Sequence, residues 1–200
     1  MSLQQAISEF RGQFRGAVIE PEDPAYGEAR KVYNAMIDRK PRLIAKCADV
    51  GDVMAAVRMA KANGLKVSIR GGGHNAAGLG VCDEGLVIDL APIQYVRVDP
   101  SSRTVLVGAG CKWSDVDHAT HAFGLAVPSG IIGTTGVGGL TLGGGLGHLT
   151  RKYGLDLDSA FLGKTIKLIG EVRRLTVGKA RTATATQVEV THAGQILSVS

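Results

Sequence analysis

One short stretch combines residue types that could bind an anionic ligand and react with it. It follows an apolar, β-branched run and consists of Arg70, Gly71, Gly72, Gly73, His74 and Asn75. Adjacent glycines pack no side chain and lose much backbone entropy on ordering, so they predict that a strand ends here. Their N–H groups can line a concavity that suits a pyrophosphate. The alternative is a strand ending in a plain turn, with Arg70 as a strand-end residue and His74 on the surface.

A second glycine-dense stretch occupies residues 126–147. It contains Thr134 and Thr135, followed by the run Gly136-Val-Gly138-Gly139-Leu-Thr-Leu-Gly143-Gly144-Gly145-Leu-Gly147. An irregular stretch of this length in a compact domain is usually functional or disordered, and its Val, Ile, Leu and Thr content argues against disorder. We therefore predict a loop that passes beside a bound ligand. For residues 143–147 two interpretations stay open, namely close packing of the chain and contact with the ligand.

These stretches, together with Arg151-Lys-Tyr-Gly-Leu155, carry a resemblance to a known family. From about Phe14 to Asp158 the chain resembles the FAD-linked oxidases related to berberine bridge enzyme and 6-hydroxynicotine oxidase, in the vanillyl-alcohol-oxidase superfamily. The resemblance implies an α+β fold, an FAD-binding domain of the p-cresol-methylhydroxylase type with two small α+β subdomains. Members of the family are much longer, so it also implies that this chain is a truncated, N-terminal portion.

The resemblance implies FAD as the cofactor and assigns positions to it. The positions implied for binding FAD are Arg70, Gly71, Gly72, Gly73, His74, Asn75, Thr134, Thr135, Gly138 and Gly139. In these oxidases the histidine that matches His74 bonds covalently to the 8α-methyl carbon of the flavin, and a neutral imidazole nitrogen suits that addition. Many relatives attach the flavin a second time through a cysteine. That position is Ile132 here, so a single histidyl linkage is expected.

The implied reaction is the two-electron oxidation of a small organic molecule, with hydride passing to flavin N5 and O2 as the electron acceptor. The expected base and substrate contacts belong to parts of the family that this sequence does not contain, so neither a catalytic residue nor the substrate is named. Two alternatives are carried. The chain could be a truncated, non-catalytic fragment that binds flavin weakly or not at all, or a binding module that uses a basic tail to contact an anionic partner.

The pattern divides the chain into three parts. Residues 1–40 are expected to be lead-in helices, residues 41–158 the FAD-binding domain, and residues 159–200 a divergent basic tail. The tail does not match the family after Asp158. Our hypothesis is that it is not native family sequence but the product of a frameshift or an aberrant terminus, and an intact reading frame with relatives sharing the tail would rule this out.

Periodicity and capping residues predict the elements that position these stretches. A helix is expected to begin at Asp49 or Asp52, to carry Val53, Val57 and Ala60 on one face, and to end at Gly64. Further helices are expected around Ile7 and Phe10, at residues 30–37, and at residues 113–123 with Ser114 as a possible N-cap. Strands are expected at residues 43–47, 65–69, 85–90, 95–98, 104–107 and 188–190.

Composition narrows the function classes. The net charge is +5, and the tail after Asp158 holds six Lys or Arg residues against two acids. Only one aromatic residue, Phe161, accompanies that tail, so stacking platforms for nucleic-acid bases are absent and no nucleic-acid partner is expected. Three cysteines without CxxC spacing predict neither a disulfide framework nor a zinc site. No apolar run is long enough for a membrane span, so a soluble, cytoplasmic protein without membrane or metal partners is expected.

Overall fold

The computed structural model describes residues 2–157, 166–168, 188–192 and 195–199. The chain forms two compact units, Met1–Ile93 and Gln94–Ser200. Each unit contains both helices and strands, so the predicted α+β class with two small α+β subdomains is confirmed.

The first unit is built on a four-stranded sheet. Its strands are β1 (Ala17–Ile19), β2 (Leu43–Lys46), β3 (Val67–Arg70) and β4 (Leu86–Asp89), in the order β1-β2-β4-β3. Strands β2 and β3 run parallel to β4, whereas β1 runs antiparallel to β2. The two central strands are buried along almost their whole length, which explains why the predicted strands at residues 43–47 and 85–90 are largely apolar.

Three helices accompany this sheet. They are α1 (Leu3–Gln13), α2 (Tyr26–Ala29) and α3 (Val50–Ala62). Helix α1 begins with a capping box formed by Ser2 and Gln5, and it buries Ala6, Ile7 and Phe10 on one face.

Helix α3 confirms the predicted cap and corrects the predicted face. Asp49 is the N-cap, and Gly64 follows the helix with a φ of +61°, as expected for a helix stop. The buried residues, however, are Asp52, Ala56, Met59 and Ala60, whereas Val57 is 48% exposed. The reason is that the Asp52 carboxylate accepts backbone N–H bonds from Arg15, Gly16 and Ala48 at 2.8 to 2.9 Å, which turns this side of the helix inward.

The predicted helix at residues 30–37 is wrong, because the backbone here is bonded elsewhere. The Tyr33 N–H donates to the carbonyl of Gly73 at 3.0 Å, outside any helical pattern. The Asn34 side chain then accepts the N–H of Met36 at 3.1 Å, and the Asn34 carbonyl accepts that of Ile37 at 3.0 Å. A turn therefore replaces the helix, since the asparagine side chain offers the backbone an alternative partner.

The second unit carries its own short strands and helices. Strand β5 (Val96–Asp99) pairs antiparallel with β6 (Thr104–Val107), which pairs in parallel with β7 (Ile166–Leu168). Strands β8 (Val188–His192) and β9 (Gln195–Val199) form an antiparallel pair, so the strand predicted at residues 188–190 is confirmed. The helices are α4 (Trp113–His121), α5 (Val137–Leu142) and α6 (Thr150–Tyr153).

A buried cluster holds the second unit together. Its members are Val105, Val107, Cys111, Trp113, Val116 and Val137. Helix α4 begins at Trp113 as predicted, but the expectation of Ser114 as N-cap is wrong. Lys112 is the N-cap, and its backbone N–H donates to the Asp115 carboxylate at 2.8 Å.

The tail from residue 159 is described only in part, through β7, β8 and β9. Its remaining residues, including Phe161 and the low-complexity run at residues 182–186, lie outside the described residues. Within the described part of the chain, none of the helices combines the length and the apolar character that crossing a bilayer requires.

Candidate functional site

The first candidate segment continues directly from β3. Arg70 is the last residue of that strand, and the backbone then leaves the sheet through three half-buried glycines to His74. Gly73 has a φ of +70°, a conformation that side chains with a Cβ disfavour. The predicted end of the strand at the glycines is confirmed.

Arg70 is buried and paired within the first unit. Its Nη2 lies 2.8 Å from Asp89 Oδ2, and its Nη1 donates to the Lys31 carbonyl at 3.2 Å. Arg70 and Asp89 are also partners in the β3–β4 register, and their side chains are only 7% and 5% exposed. In this arrangement Arg70 is a strand-end residue that secures the base of the glycine segment. A role for its charge toward a diphosphate stays a prediction.

His74 lies beside an open groove of about 430 Å³. The groove is lined by Tyr33, Asn34, Ala35, Met36, His74 and Ala76. The imidazole stacks on the Tyr33 ring, with the ring centroids 4.1 Å apart and the planes inclined by 17°. Two of the lining side chains are strongly exposed, Tyr33 at 70% and Met36 at 90%, so an apolar surface borders the histidine.

Asn75 closes a turn directly after the histidine. Its side-chain oxygen accepts the N–H of Leu79 at 3.0 Å, and its carbonyl accepts that of Gly78 at 3.0 Å. The Asn34 amide meanwhile donates to the Ala76 carbonyl at 2.9 Å. The segment that carries His74 is thus held by hydrogen bonds on both sides.

The second candidate segment is fastened to the beginning of α4. The carbonyls of Gly133 and Thr135 accept the N–H groups of Ser114 and Trp113 at 2.9 and 3.0 Å, and the Val137 N–H donates to the Cys111 carbonyl at 3.0 Å. These bonds fix the turn that carries Thr134 and Thr135. Helix α5 then begins inside the stretch that the sequence predicted to be an irregular loop.

The glycines of this segment differ in what surrounds them. A Cβ added at Gly138 or Gly139, in the first turn of α5, would meet nothing within 4 Å among the described residues. A Cβ at Gly145 would instead lie 2.4 Å from the Asp156 Cβ, and one at Gly147 would lie 1.7 Å from the Ser129 carbonyl oxygen. Close chain packing therefore explains Gly145 and Gly147. It does not explain Gly138 and Gly139, where the open space admits a ligand close to the backbone.

Sequence reasoning missed a buried acid beneath α5. Asp156 is fully buried, and its Oδ2 lies 2.6 Å from the hydroxyl of Thr141, which also lies 2.8 Å from the Val137 carbonyl. A hydroxyl has one hydrogen, so both contacts are hydrogen bonds only when the carboxyl is protonated and donates. Burial raises the pKa of Asp156 to about 6, whereas a hydrogen bond donated by the Thr141 hydroxyl would favour the ionised carboxylate and oppose that rise. Nothing local in the sequence around Asp156 distinguishes it from a surface acid.

The structure thus divides the predicted site residues into two groups. Residues 70–75 form one group in the first unit, and Thr134, Thr135, Gly138 and Gly139 form the other in the second unit. His148 and Ile132 are exposed. Among the described residues, no cluster of three or more His, Cys, Asp or Glu side chains could hold a metal ion.

The residues present fit the chemistry of a dinucleotide that carries a planar ring system. Glycines open to close approach and two threonine hydroxyls suit phosphates and a polar chain. A groove bordered by exposed apolar side chains and a histidine suits the edge of a flat ring.

Comparison with known proteins agrees with this assessment. Residues 41–175 match the family described as FAD binding domain. The (R)-6-hydroxynicotine oxidase of Paenarthrobacter nicotinovorans is 35% identical over 158 residues, covering 79% of this chain and 34% of that protein. Berberine bridge enzyme-like 5 of Arabidopsis thaliana is 33% identical over 156 residues, covering 74% of this chain and 29% of the relative.

A solved structure shows the same fold. The crystal structure of 6-hydroxy-D-nicotine oxidase from Arthrobacter nicotinovorans superposes with a TM-score of 0.71 at 37% identity, covering 73% of this chain and 32% of that one. The chain therefore belongs to the FAD-binding oxidoreductase family that includes 6-hydroxynicotine oxidase and the berberine bridge enzyme-like proteins, as the sequence motifs indicated. It spans about a third of the length of the relatives it matches.

Proposed function

We propose that this chain is the flavin-binding part of an FAD-dependent oxidase and that it holds the cofactor through a single covalent bond to His74. The observation that carries the proposal is the position of His74, at the end of a glycine segment and on the edge of an open, apolar groove. The family to which the chain belongs supplies the identity of the cofactor.

The glycine segments would hold the polar parts of FAD. Backbone N–H groups of residues 71–73 and of the first turn of α5 can donate to the diphosphate, and Thr134 and Thr135 offer hydroxyls to the ribityl chain. At Gly138 and Gly139 the space above the backbone is open among the described residues. For the domains, we propose residues 41–158 as the FAD-binding domain and residues 159–200 as a divergent tail, although the family match extends to residue 175. Residues 1–40 are proposed as a lead-in, whose strand β1 pairs with β2 of that domain.

When bound, FAD would supply two-electron chemistry, taking hydride at N5 from a small organic substrate and passing the electrons to O2, which leaves as hydrogen peroxide. In the linkage, one imidazole nitrogen of His74 would bond to the 8α-carbon, as its own N–H bond and one C–H bond of the methyl group break. The two protons and the electron pair released would pass to O2, which becomes hydrogen peroxide. Ile132 cannot form a thioether, so one attachment is proposed rather than two.

The test is a mass measurement on protein expressed with riboflavin available. After acid denaturation, the precipitated chain is expected to be yellow and heavier by the mass of one FAD. His74→Ala should remove both signals, whereas His148→Ala, a matched exposed histidine in the same chain, should keep them. A colourless wild-type precipitate of unmodified mass would contradict the covalent linkage.

We also propose a second candidate function, in which these residues bind flavin without turning over any substrate. Bound flavin in a protein that produces no hydrogen peroxide with any candidate substrate would support this second function. Measurable oxidase turnover by the same chain would rule it out.

A further inference from the structure

We propose that Tyr33 is a positioning residue for His74: its ring lies against the imidazole and sets the plane in which the histidine meets the flavin. The inference rests on the proposed function, since it concerns the residue through which the cofactor would be attached. Tyr33 belongs to a turn that is distant in sequence from the glycine segment.

The stacking geometry is the first observation. The two rings are nearly parallel, at 17°, with their centroids 4.1 Å apart. Stacking of this kind covers a face of the imidazole and leaves its nitrogens in the ring plane, which is the direction in which an imidazole nitrogen forms a bond. Restricting rotation of the ring fixes that direction before the cofactor arrives.

Core packing does not account for the position of Tyr33. The residue is 70% exposed, so most of its surface stays in contact with water, and Met36 in the same turn is 90% exposed. A tyrosine held at the surface against a histidine gains little from burial. Tyr33 instead contacts His74, the residue that would bond to the flavin, and it is this contact that the proposed positioning role requires.

The backbone around Tyr33 is fixed to the glycine segment on both sides of the histidine. Before His74, the Tyr33 N–H donates to the Gly73 carbonyl at 3.0 Å. After His74, the Asn34 amide donates to the Ala76 carbonyl at 2.9 Å. Further back, the Lys31 carbonyl accepts a bond from the buried guanidinium of Arg70 at 3.2 Å. The turn and the glycine segment therefore form one frame, and the stacked ring is held within it.

The groove places an apolar surface next to the stacked pair. Ala35, Met36 and Ala76 line it together with the two rings, and it has room for the edge of a planar, methyl-bearing ring system. Tyr33 thus contacts the face of the imidazole, while the groove receives the group that bonds to its edge. Replacing Tyr33 with a side chain that has no planar ring would keep the groove, but the imidazole of His74 would lose its fixed orientation.

The experiment compares Tyr33→Leu, which keeps apolar bulk without a planar ring, with Tyr33→Phe, which keeps the ring and loses only the hydroxyl. Purified flavin-free proteins are incubated with FAD, and the covalent adduct is followed by intact mass. We expect attachment to be at least about tenfold slower in Tyr33→Leu and close to wild type in Tyr33→Phe. Reversible FAD affinity is measured on His74→Ala with and without Tyr33→Leu. Attachment rates are then compared at FAD concentrations that saturate each protein, so that a change in affinity does not enter the rate.

A second readout does not depend on flavin. In the NMR spectrum of the flavin-free protein, the His74 ring protons should move downfield in Tyr33→Leu, because the ring current of the tyrosine is lost, and should keep their shifts in Tyr33→Phe. Far-UV circular dichroism checks that both variants are folded. Unchanged shifts in Tyr33→Leu would overturn the stack, and unchanged attachment rate would overturn the positioning role.

The outcomes separate the two proposals. If wild-type protein binds FAD but never gains its mass, the covalent linkage fails and the positioning role fails with it. If wild-type protein gains the mass and Tyr33→Leu gains it at the same rate, only the positioning role fails. Slow attachment in Tyr33→Leu, together with a wild-type rate in Tyr33→Phe, supports both proposals.

Discussion

The two glycine segments of this protein are held in place by different means. In the first unit a buried charge pair, Arg70–Asp89, and the turn at Tyr33 secure residues 70–75. In the second unit, backbone hydrogen bonds to the start of α4 and a buried acid, Asp156, secure the segment around α5. The first arrangement depends on ionised side chains and the second on a carboxyl that burial keeps toward its neutral form. Similar glycine-rich sequences therefore need different support, and the two regions should respond differently to mutation and to pH.

The largest effect is expected from breaking the charge pair of the first unit. Asp89→Asn leaves the guanidinium of Arg70 buried without its counter-charge, which typically costs about 4 kcal/mol in the free energy of unfolding. Urea denaturation of wild type and variant measures it. Glu28→Gln, which removes an exposed ion pair with Lys31, is the matched control and should change stability by less than about 1 kcal/mol. Equal losses of stability in the two variants would contradict a larger contribution from the buried Arg70–Asp89 pair.

The corresponding break in the second unit is steric. Gly147→Ala places a Cβ 1.7 Å from the Ser129 carbonyl oxygen, so the backbone must shift, and we expect a loss of about 3 kcal/mol in the free energy of unfolding. The measurement is again denaturant unfolding. If Gly147→Ala unfolds at the same urea concentration as wild type, this contradicts the close packing of Gly147 against Ser129.

The pH response should distinguish the two regions most clearly. The pKa of Asp156 is raised to about 6 by burial, so the fold favours the protonated acid. Its stabilising contribution is fully present below about pH 4, the ordinary range of the carboxyl, and is lost as pH rises through about 6, by at most about 3 kcal/mol. The free energy of unfolding is measured at several pH values between these limits and above them. The decline expected for wild type should be absent in Asp156→Asn. If Asp156→Asn keeps the pH dependence of wild type, the decline in stability does not come from Asp156.

The smallest expected effect comes from Gly139→Ala, which should raise stability and weaken FAD binding. Gly139→Ala meets nothing within 4 Å among the described residues, and alanine is the better helix former, so stability should rise by up to about 1 kcal/mol. If the open space above α5 receives the cofactor, the added methyl should weaken FAD binding by about tenfold. Titration with FAD and thermal unfolding of the same preparation measure both. Unchanged FAD affinity would contradict the proposed use of this turn.

Local patterns predicted much of the fold because local physics determines it. The apolar runs that became β2 and β4, the Asp49 cap and the Gly64 stop all depend on neighbouring residues in the sequence. The errors occurred where distant partners decide. The residues 30–37 form a turn because Tyr33 bonds to Gly73, and α3 turns Asp52 inward because the carboxylate accepts N–H groups from residues 15 and 16.

The candidate site shows the same limit. The glycine motifs and His74 could be found from residue types and from the resemblance they carry, and the family membership is confirmed. The stack of Tyr33 on His74 and the burial of Asp156 could not, because a tyrosine in a turn and an aspartate after Leu155 carry no local signal of either contact. Both depend on which distant segments the fold brings together.

The most direct test of the account is to locate the flavin on the chain. Trypsin cleaves after Arg70 and Arg97, so His74 lies in the peptide of residues 71–97. Digestion of flavin-loaded, denatured protein is predicted to give that peptide with flavin fluorescence and the mass of the attached cofactor, and no other flavin-bearing peptide. Recovery of the unmodified 71–97 peptide from yellow protein, or flavin on a different peptide, would contradict the assignment of His74.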